Sequence, residues 1–171
     1  KFFENNVKKY PNEIAFIFKD QEITWLEADI KVSEYGAYLQ SEGIEKGDCF
    51  ALLMDNCPDF LMLLLAAHRI GAIAALINTT VTGEGLKHVV TIVDAKAVIL
   101  GASHIDKFNS SMPESELLAL NLYAIEDSQK IPNEYVDINE QSKGFKDVIS
   151  HNLKIKDLSL IHISEPTRHE R

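Results

Sequence analysis

The stretch at residues 49–77, CFALLMDNCPDFLMLLLAAHRIGAIAALI, decides the fold of this chain. Its first six residues form a short apolar run, which predicts a buried strand. Pro58 then lies in the first turn of a helix, where proline is tolerated best, with Asn56 or Cys57 before it as the cap. The predicted helix continues to about Ile70, and a second buried strand follows it.

A membrane span is the alternative interpretation of part of this stretch. Residues 60–77 are long enough and mostly apolar, but His68 and Arg69 lie at the centre. A charged residue at the middle of a span costs about 2.5–3.5 kcal/mol on insertion scales. A helix that ends near Ile70, followed by a strand at 73–77, accounts for the same residues, and we favour it.

The alternation of strands and helices continues on the C-terminal side. A polar connection at 78–82 leads to a predicted helix at 83–93, and a third apolar strand is predicted at 97–100. The order strand-helix-strand-helix-strand favours parallel strands joined by crossover helices. Beyond this third strand the signal weakens, and a fourth strand at 122–125 and a helix at 143–149 are the remaining predictions.

The N-terminal side adds smaller elements. Residues 2–9 predict a short helix, and two β-rich runs at 14–18 and 22–25 flank a polar connection, which predicts a hairpin. An amphipathic helix follows at 26–39. The predicted fold class is therefore α/β: an incomplete parallel-sheet subdomain with crossover helices, preceded by a short helix and a β-hairpin.

Composition restricts the functions that the chain could have. Of its 171 residues, 46% are hydrophobic and 25% are charged, which is enough apolar material for one core. Seventeen Lys and Arg against 26 Asp and Glu give a formal charge of -9, so nucleic-acid binding is not expected. Cys49 and Cys57 fit neither a disulfide framework nor a zinc site, and we expect two free thiols in a reducing, cytoplasmic setting.

The C-terminal residues have a different character. Residues 158–168 read LSLIHISEPTR and resemble, residue for residue, the translation of a transposase adapter used in preparing DNA sequencing libraries. We therefore interpret 158–171 as an adapter-derived tail and leave it out of the fold prediction. Residues 1–157 then form a partial domain, and we expect the parent protein to continue beyond Asp157.

Five short motifs follow one another along the chain: YPNEIA at 10–15, ITWLE at 23–27, GIEKGD at 43–48, NCPDF at 56–60 and GA at 71–72. Taken together, they resemble the start of the adenylate-forming superfamily, which includes acyl-CoA synthetases, luciferases and peptide-synthetase adenylation domains. Within the superfamily, AALINT at 74–79 and GEGLKH at 83–88 look most like the fatty-acid-transport-protein branch of long-chain acyl-CoA synthetases. Carnitine- and crotonobetaine-type CoA ligases are the nearest rivals.

The resemblance implies the first part of the large N-terminal AMP-binding domain of an ATP-dependent, AMP-forming acid-CoA ligase. Such an enzyme uses ATP and Mg2+ to convert a fatty acid to an acyl-adenylate, and CoA then displaces AMP. Membrane association is implied for the parent protein only. Two rival interpretations remain: adenylation without CoA transfer, as in a peptide-synthetase module, and a non-catalytic α/β scaffold or binding protein.

The sequence lacks the phosphate-binding loop that the resemblance requires, which has the form TSGTTGxPK. The Thr-rich stretch at 78–83 has no suitably placed Lys, and we interpret it as a strand-to-helix connection capped by Thr82. We expect the chain alone to be inactive and to bind ATP, Mg2+ and CoA poorly.

Isolated polar residues do not change this interpretation. His68 is expected to be half-buried in its apolar helix, and His88 and His104 have no partners at metal-ligand spacing. Ser33, Ser103 and Ser110 lack the sequence setting of a nucleophile. We therefore assign no catalytic, cofactor-binding or metal-binding residue.

Overall fold

The computed structural model describes residues 2–117, 119–151 and 160–163. The chain begins with helix α1 (Phe2–Lys9) and a hairpin of strands β1 (Ile14–Phe18) and β2 (Gln21–Thr24). The next elements are α2 (Trp25–Ser41), β3 (Cys49–Leu53), α3 (Pro58–Ile70), β4 (Ile73–Ile77), α4 (Gly83–Ile92) and β5 (Ala97–Gly101). A 3-10 turn (Ala102–His104) then precedes α5 (Ile105–Ser111), α6 (Glu114–Leu117), β6 (Asn121–Ile125), β7 (Val136–Asp137), α7 (Ile138–Gln141) and β8 (Leu160–Ile163).

Six strands form one parallel sheet in the order β7-β6-β5-β3-β4-β8. β3 is central, with Phe50 opposite Ala74 of β4 on one side and opposite Ala97 of β5 on the other. The chain moves from β3 to one side to form β4 and then crosses back to form β5, so the direction of winding reverses at β3. The predicted parallel sheet with crossover helices, preceded by a short helix and a hairpin, is confirmed.

Two apolar clusters cover the two faces of the sheet, because successive side chains of a strand point to opposite faces. Phe50 and Leu52 of β3 pack with α2 and α3, whereas Ala51 and Leu53 pack with α4 and α5. All four side chains are 0% exposed. Burial on both faces explains why β3 is a continuous apolar run and does not alternate.

Helix α2 begins one residue earlier than the sequence analysis placed it, because Thr24 and Glu27 form a capping box. The Glu27 N–H donates to the Thr24 hydroxyl at 3.2 Å, and the Thr24 N–H donates to Glu27 Oε2 at 2.8 Å. A Thr followed three residues later by Glu is a recognised start signal for a helix. The prediction had instead placed Trp25 in the preceding strand.

The apolar stretch at 60–77 forms the end of a helix and a strand, as favoured above. α3 ends at Ile70, and Gly71 then adopts a left-handed conformation with φ of 76°, which glycine reaches without a steric penalty. β4 follows directly. None of the helices in the described part of the chain combines the length and the apolar character that crossing a bilayer requires.

The helix predicted at 143–149 is wrong. These residues form a turn and then an irregular segment, and the nearby helix is α7. Gly144 has φ of 83°, which is incompatible with a right-handed helix. We call residues 145–151 the strap.

The strap lies against α2 and α3 and uses their polar groups in place of helical hydrogen bonds. The Gln40 side-chain amide donates to the Ile149 carbonyl at 3.0 Å, and its oxygen accepts from the Ile149 N–H at 2.8 Å. The His151 N–H donates to the Arg69 carbonyl at 2.9 Å. Contacts between residues so far apart in sequence leave no local pattern, which is why the prediction failed.

Part of the stretch that resembles an adapter belongs to the sheet. Leu160–Ile163 form β8, which pairs in parallel with β4 and places Leu160 opposite Ala74. The sequence analysis assigned no element here because it left the tail out of the fold. The letters LIHI include two β-branched residues, and such residues favour strands whatever their origin.

Candidate functional site

The carboxyl ends of β3 and β5 open onto a crevice of about 700 Å³. Here the chain leaves β3 toward one edge of the sheet and leaves β5 toward the other, and open α/β sheets bind ligands where the winding reverses in this way. We call it the switch-point crevice and treat it as the candidate functional site. Its lining comes from residues 18–21 of the hairpin, 54–59 after β3, Gly101 at the end of β5 and Ser103 beyond it, Ile125 at the end of β6, and 126–128 beyond it.

The walls of the switch-point crevice are acidic. They contain the carboxylates of Asp20, Asp55, Asp59, Glu126 and Asp127. Lys19, in the hairpin turn, is the one Lys or Arg among the lining residues. Because like charges repel strongly where water is partly excluded, this lining does not suit the phosphates of a nucleotide.

Asp127 reaches from the end of β6 to the end of β5. Its carboxylate accepts hydrogen bonds from the Ser103 N–H at 3.1 Å, from the Ser103 hydroxyl at 2.7 Å and from the Gln129 N–H at 3.0 Å. Burial alone would raise the pKa of Asp127, but the hydrogen bonds outweigh it and hold the pKa below its usual value. Ser103 is thus a donor to a carboxylate, a role that its sequence setting did not indicate.

The space around this carboxylate favours Gly101. A Cβ at Gly101 would lie 3.0 Å from Asp127 Oδ2 and 3.2 Å from Met54 Cβ. The φ of Gly101 is -68°, which any residue adopts. A side chain at position 101 would therefore crowd its neighbours, although the backbone conformation itself does not call for glycine.

Tyr35 fixes a second carboxylate of the site. Its hydroxyl donates to Asp59 Oδ1 at 2.6 Å, and its side chain is 0% exposed. Burial, and then the charge of Asp59, raise the pKa of Tyr35 far above its usual value, so the phenol stays protonated and donates. Asp59 lines both the switch-point crevice and a pocket of about 420 Å³ between the hairpin, α2 and α3.

His104 and Lys107 lie close to residues that follow β3 and β4. Its Nε2 lies 3.2 Å from Asp55 Oδ1, and its Nδ1 lies 3.3 Å from Lys107 Nζ. Lys107 also donates to the Thr79 carbonyl, and burial lowers the pKa of Lys107. Within residues 2–117, 119–151 and 160–163, no group of three or more His, Cys, Asp or Glu side chains is placed to hold a metal ion.

The Thr-rich connection before α4 is held by hydrogen bonds within itself and to α5. Thr82 occupies the N-cap position, but its side chain makes no capping hydrogen bond, so this part of the prediction is wrong. The Gly83 N–H donates to Ser111 Oγ at 3.0 Å. Asn78 Oδ1 accepts from the N–H and the hydroxyl of Thr80, both at 2.9 Å, and such local bonds favour turns.

The remaining candidates from the sequence are dispersed. His68 and His88 are exposed on the outer sides of their helices, so the expectation that His68 is half-buried is wrong. The Ser33 hydroxyl accepts a hydrogen bond from Arg69 at 2.6 Å, and Arg69 forms an ion pair with Asp29 at 2.6 Å. These contacts hold α3 against α2 and lie outside the lining of the crevice.

Acid should destabilise the fold through carboxylates whose pKa is lowered. Hydrogen bonds from Lys96 Nζ at 2.6 Å and from the Glu45 N–H at 2.7 Å lower the pKa of Asp48, and those described above lower the pKa of Asp127. A lowered folded-state pKa gives stabilisation that is complete above the unfolded value of 3.8 and is lost as the pH falls through the folded value. We expect a constant thermal midpoint from pH 8 to about 5 and a decline below about pH 4. A midpoint that stays constant to pH 3 in a series of thermal scans would contradict this.

The open parallel sheet with crossover helices on both faces makes this an α/β protein. A model of the AMP-binding enzyme family matches residues 3–162. The chain belongs to the AMP-binding enzyme family, as the order of the five motifs had predicted.

Two relatives illustrate how much of such proteins the chain represents. It is similar to medium/long-chain-fatty-acid–CoA ligase FadD6 of Mycobacterium tuberculosis, 31% identical over 97 residues, which is 57% of this chain and 16% of the relative. It is also similar to long-chain fatty acid transport protein 6 of Homo sapiens, 24% identical over 141 residues, which is 81% of this chain and 22% of the relative. The chain thus spans only 16% and 22% of these curated relatives.

Solved structures share the fold. The anthranilate CoA ligase AuaEII in complex with anthranoyl-AMP superposes with a TM-score of 0.79 at 18% identity, covering 92% of this chain and 29% of that chain. The N-terminal domain of FACL13 from Mycobacterium tuberculosis gives 0.75 at 21% identity, covering 92% and 39%. The fold predicted from the resemblance, that of the N-terminal domain of an adenylate-forming enzyme, is confirmed.

Proposed function

We propose that this chain is the opening part of the N-terminal domain of an ATP-dependent acid-CoA ligase and that the acid is a long-chain fatty acid. The family match over residues 3–162, together with the similarity to FadD6, supports the proposal. Relatives with other names, such as 2-succinylbenzoate–CoA ligase of Oceanobacillus iheyensis and a linear gramicidin synthase of Brevibacillus parabrevis, make the acid the part that most needs a test.

In this proposal the described residues act as a scaffold. β3, β4 and β5, buried between two layers of helices, supply a rigid wall, and the acidic switch-point crevice does not receive the phosphates of ATP. ATP with Mg2+ and CoA bind to other parts of the parent protein. Acyl transfer to CoA through an acyl-adenylate is then a property of the parent and not of these residues alone.

Carboxylate-dependent exchange of pyrophosphate into ATP tests both parts of the proposal. The purified 171-residue chain should give no exchange above a blank, because a phosphate cradle needs closely spaced N–H groups and a Lys, and the switch-point crevice is lined by carboxylates. The parental reading frame, continued past the codon for Asp157, should give exchange with hexadecanoate at least about tenfold above acetate, a difference of the size that an apolar pocket provides for an apolar chain.

Each outcome is informative. Exchange by the chain alone would contradict the scaffold role. Exchange by the complete protein with anthranilate and not with hexadecanoate would keep adenylation and reject the long-chain acid. A stop codon directly after Asp157 would reject the ligase proposal and favour a non-catalytic α/β scaffold.

A further inference from the structure

We propose that Asp127 is a latch that holds the loop at residues 126–129 in place beside the switch-point crevice, so that access to the crevice depends on the contact between Asp127 and Ser103. The proposal does not depend on the proposed function, because it concerns access to a cavity in this chain and not any reaction of the parent.

Asp127 accepts hydrogen bonds from groups at the start of a helical segment, where backbone N–H groups lack acceptors within the helix. Ser103 lies in the first turn after β5, where N–H groups lack intrahelical acceptors, and Gly101 at the N-cap position has no side chain to accept from them. The Asp127 carboxylate takes this role from the neighbouring strand, with bonds to both the N–H and the hydroxyl of Ser103. Hydrogen bonds to an ionised acceptor are about twice as strong as neutral ones.

The shape of the site supports the same interpretation independently. Position 101 leaves a gap that the carboxylate fills, since a Cβ there would approach Asp127 Oδ2 to 3.0 Å. A side chain at this position would crowd the carboxylate and weaken its contact with Ser103. The latch therefore rests on the donors of Ser103 and is favoured by the empty space at Gly101.

The loop has little else to hold it. Residues 126–130 are all exposed, whereas Ile125 before them is buried. The loop thus lacks buried apolar side chains of its own, and segments of this kind open at low free-energy cost. Because Glu126, Asp127 and Ser128 line the crevice, release of Asp127 lets this loop move away from the other lining residues.

Cys57 is the reporter that the chain provides. It lines the crevice and is half-buried, whereas Cys49 is buried in β3. These are the two cysteines of the chain, so a Cys49→Ala background makes Cys57 the single thiol. Cys57 also lines a pocket of about 270 Å³ beside β1 and α3, so the change in its N-ethylmaleimide labelling rate between variants, and not the rate itself, reports opening of the crevice.

The experiment compares labelling rates of Cys57 in three variants. Ser103→Ala removes one donor and keeps every charge, and Gly101→Ala crowds the carboxylate. In each variant Cys57 should be labelled about fivefold faster than in the Cys49→Ala chain without a further substitution. This is the change in the population of the open state that the loss of one hydrogen bond should cause. Glu126→Gln is the matched control in the same loop, and its rate should change by less than about twofold, since it leaves the latch in place.

Unchanged labelling in Ser103→Ala, with the thermal transition retained, would overturn the latch. If Gly101→Ala fails to fold, Ser103→Ala decides the question alone. A Cys57→Ala chain, in which Cys49 is the single thiol, distinguishes local opening from global unfolding. An equal acceleration at Cys49 and Cys57 would also overturn the proposal, because it would report loss of the whole fold.

Discussion

Replacing Phe50 by alanine should lower the free energy of unfolding by about 3–5 kcal/mol. Phe50 is 0% exposed at the centre of the sheet, and the residues opposite it on the two neighbouring strands are Ala74 and Ala97. Two alanines cannot expand to fill the space that a phenyl ring leaves, so a cavity should remain. The loss is a large fraction of the about 5–15 kcal/mol that stabilises a typical domain.

The measurement is a denaturant titration followed by far-ultraviolet circular dichroism. Ile17→Ala is the matched control, because Ile17 is also apolar and lies in a strand but is 68% exposed. The control should change the free energy of unfolding by less than about 0.5 kcal/mol. A loss below about 1 kcal/mol for Phe50→Ala, far short of the usual cost of such a truncation, would show that β3 does not form the centre of the core.

The alternation of buried strands and helices could be predicted because its signals are local. A strand buried on both faces is a continuous apolar run, as in β3, and Pro58 and Gly71 mark the two ends of α3 by their own backbone preferences. The capping box at Thr24 and Glu27 was equally local, and it could have been found from the T-x-x-E spacing.

The strap could not be predicted in the same way, because its position depends on residues far away in the sequence. The position of Ile149 depends on Gln40, more than a hundred residues earlier, and no periodicity records such a pair. A run of polar and apolar residues at 143–149 has a helical spacing. The positive φ of Gly144 and the hydrogen bonds to α2 override it.

The candidate site was missed because it depends on the order of the strands. Parallel strands predict that the loops after β3, β5 and β6 meet at one edge, but the sequence does not say that β6 lies beside β5. That pairing brings Asp127 to Ser103. Single residues such as Ser103 could therefore be named from the sequence, while their partners could not.

The second large effect is expected at Gly36, which is buried in α2. A Cβ at this position would lie 3.0 Å from Val148 Cγ2 in the strap and 3.1 Å from Ile70 Cγ2 in α3. Glycine inside a helix costs about 0.5–1 kcal/mol relative to alanine. The close approach of α2, α3 and the strap therefore explains why the smallest residue occupies position 36. Gly36→Leu should lower the free energy of unfolding by about 3 kcal/mol, because overpacking on this scale must separate the segments.

Two further variants identify the segment that moves. Gly36→Ala should have a much smaller effect, because its better helix propensity offsets a contact that can relax by a few tenths of an ångström. Val148→Ala should recover part of the loss in the Gly36→Leu background, although it removes apolar contact on its own, because it makes room beside α2. Amide exchange at the Ile149 N–H, which donates to Gln40, reports release of the strap directly. Strictly additive effects of Gly36→Leu and Val148→Ala, with unchanged exchange at Ile149, would show that the leucine is accommodated by movement of α3 instead.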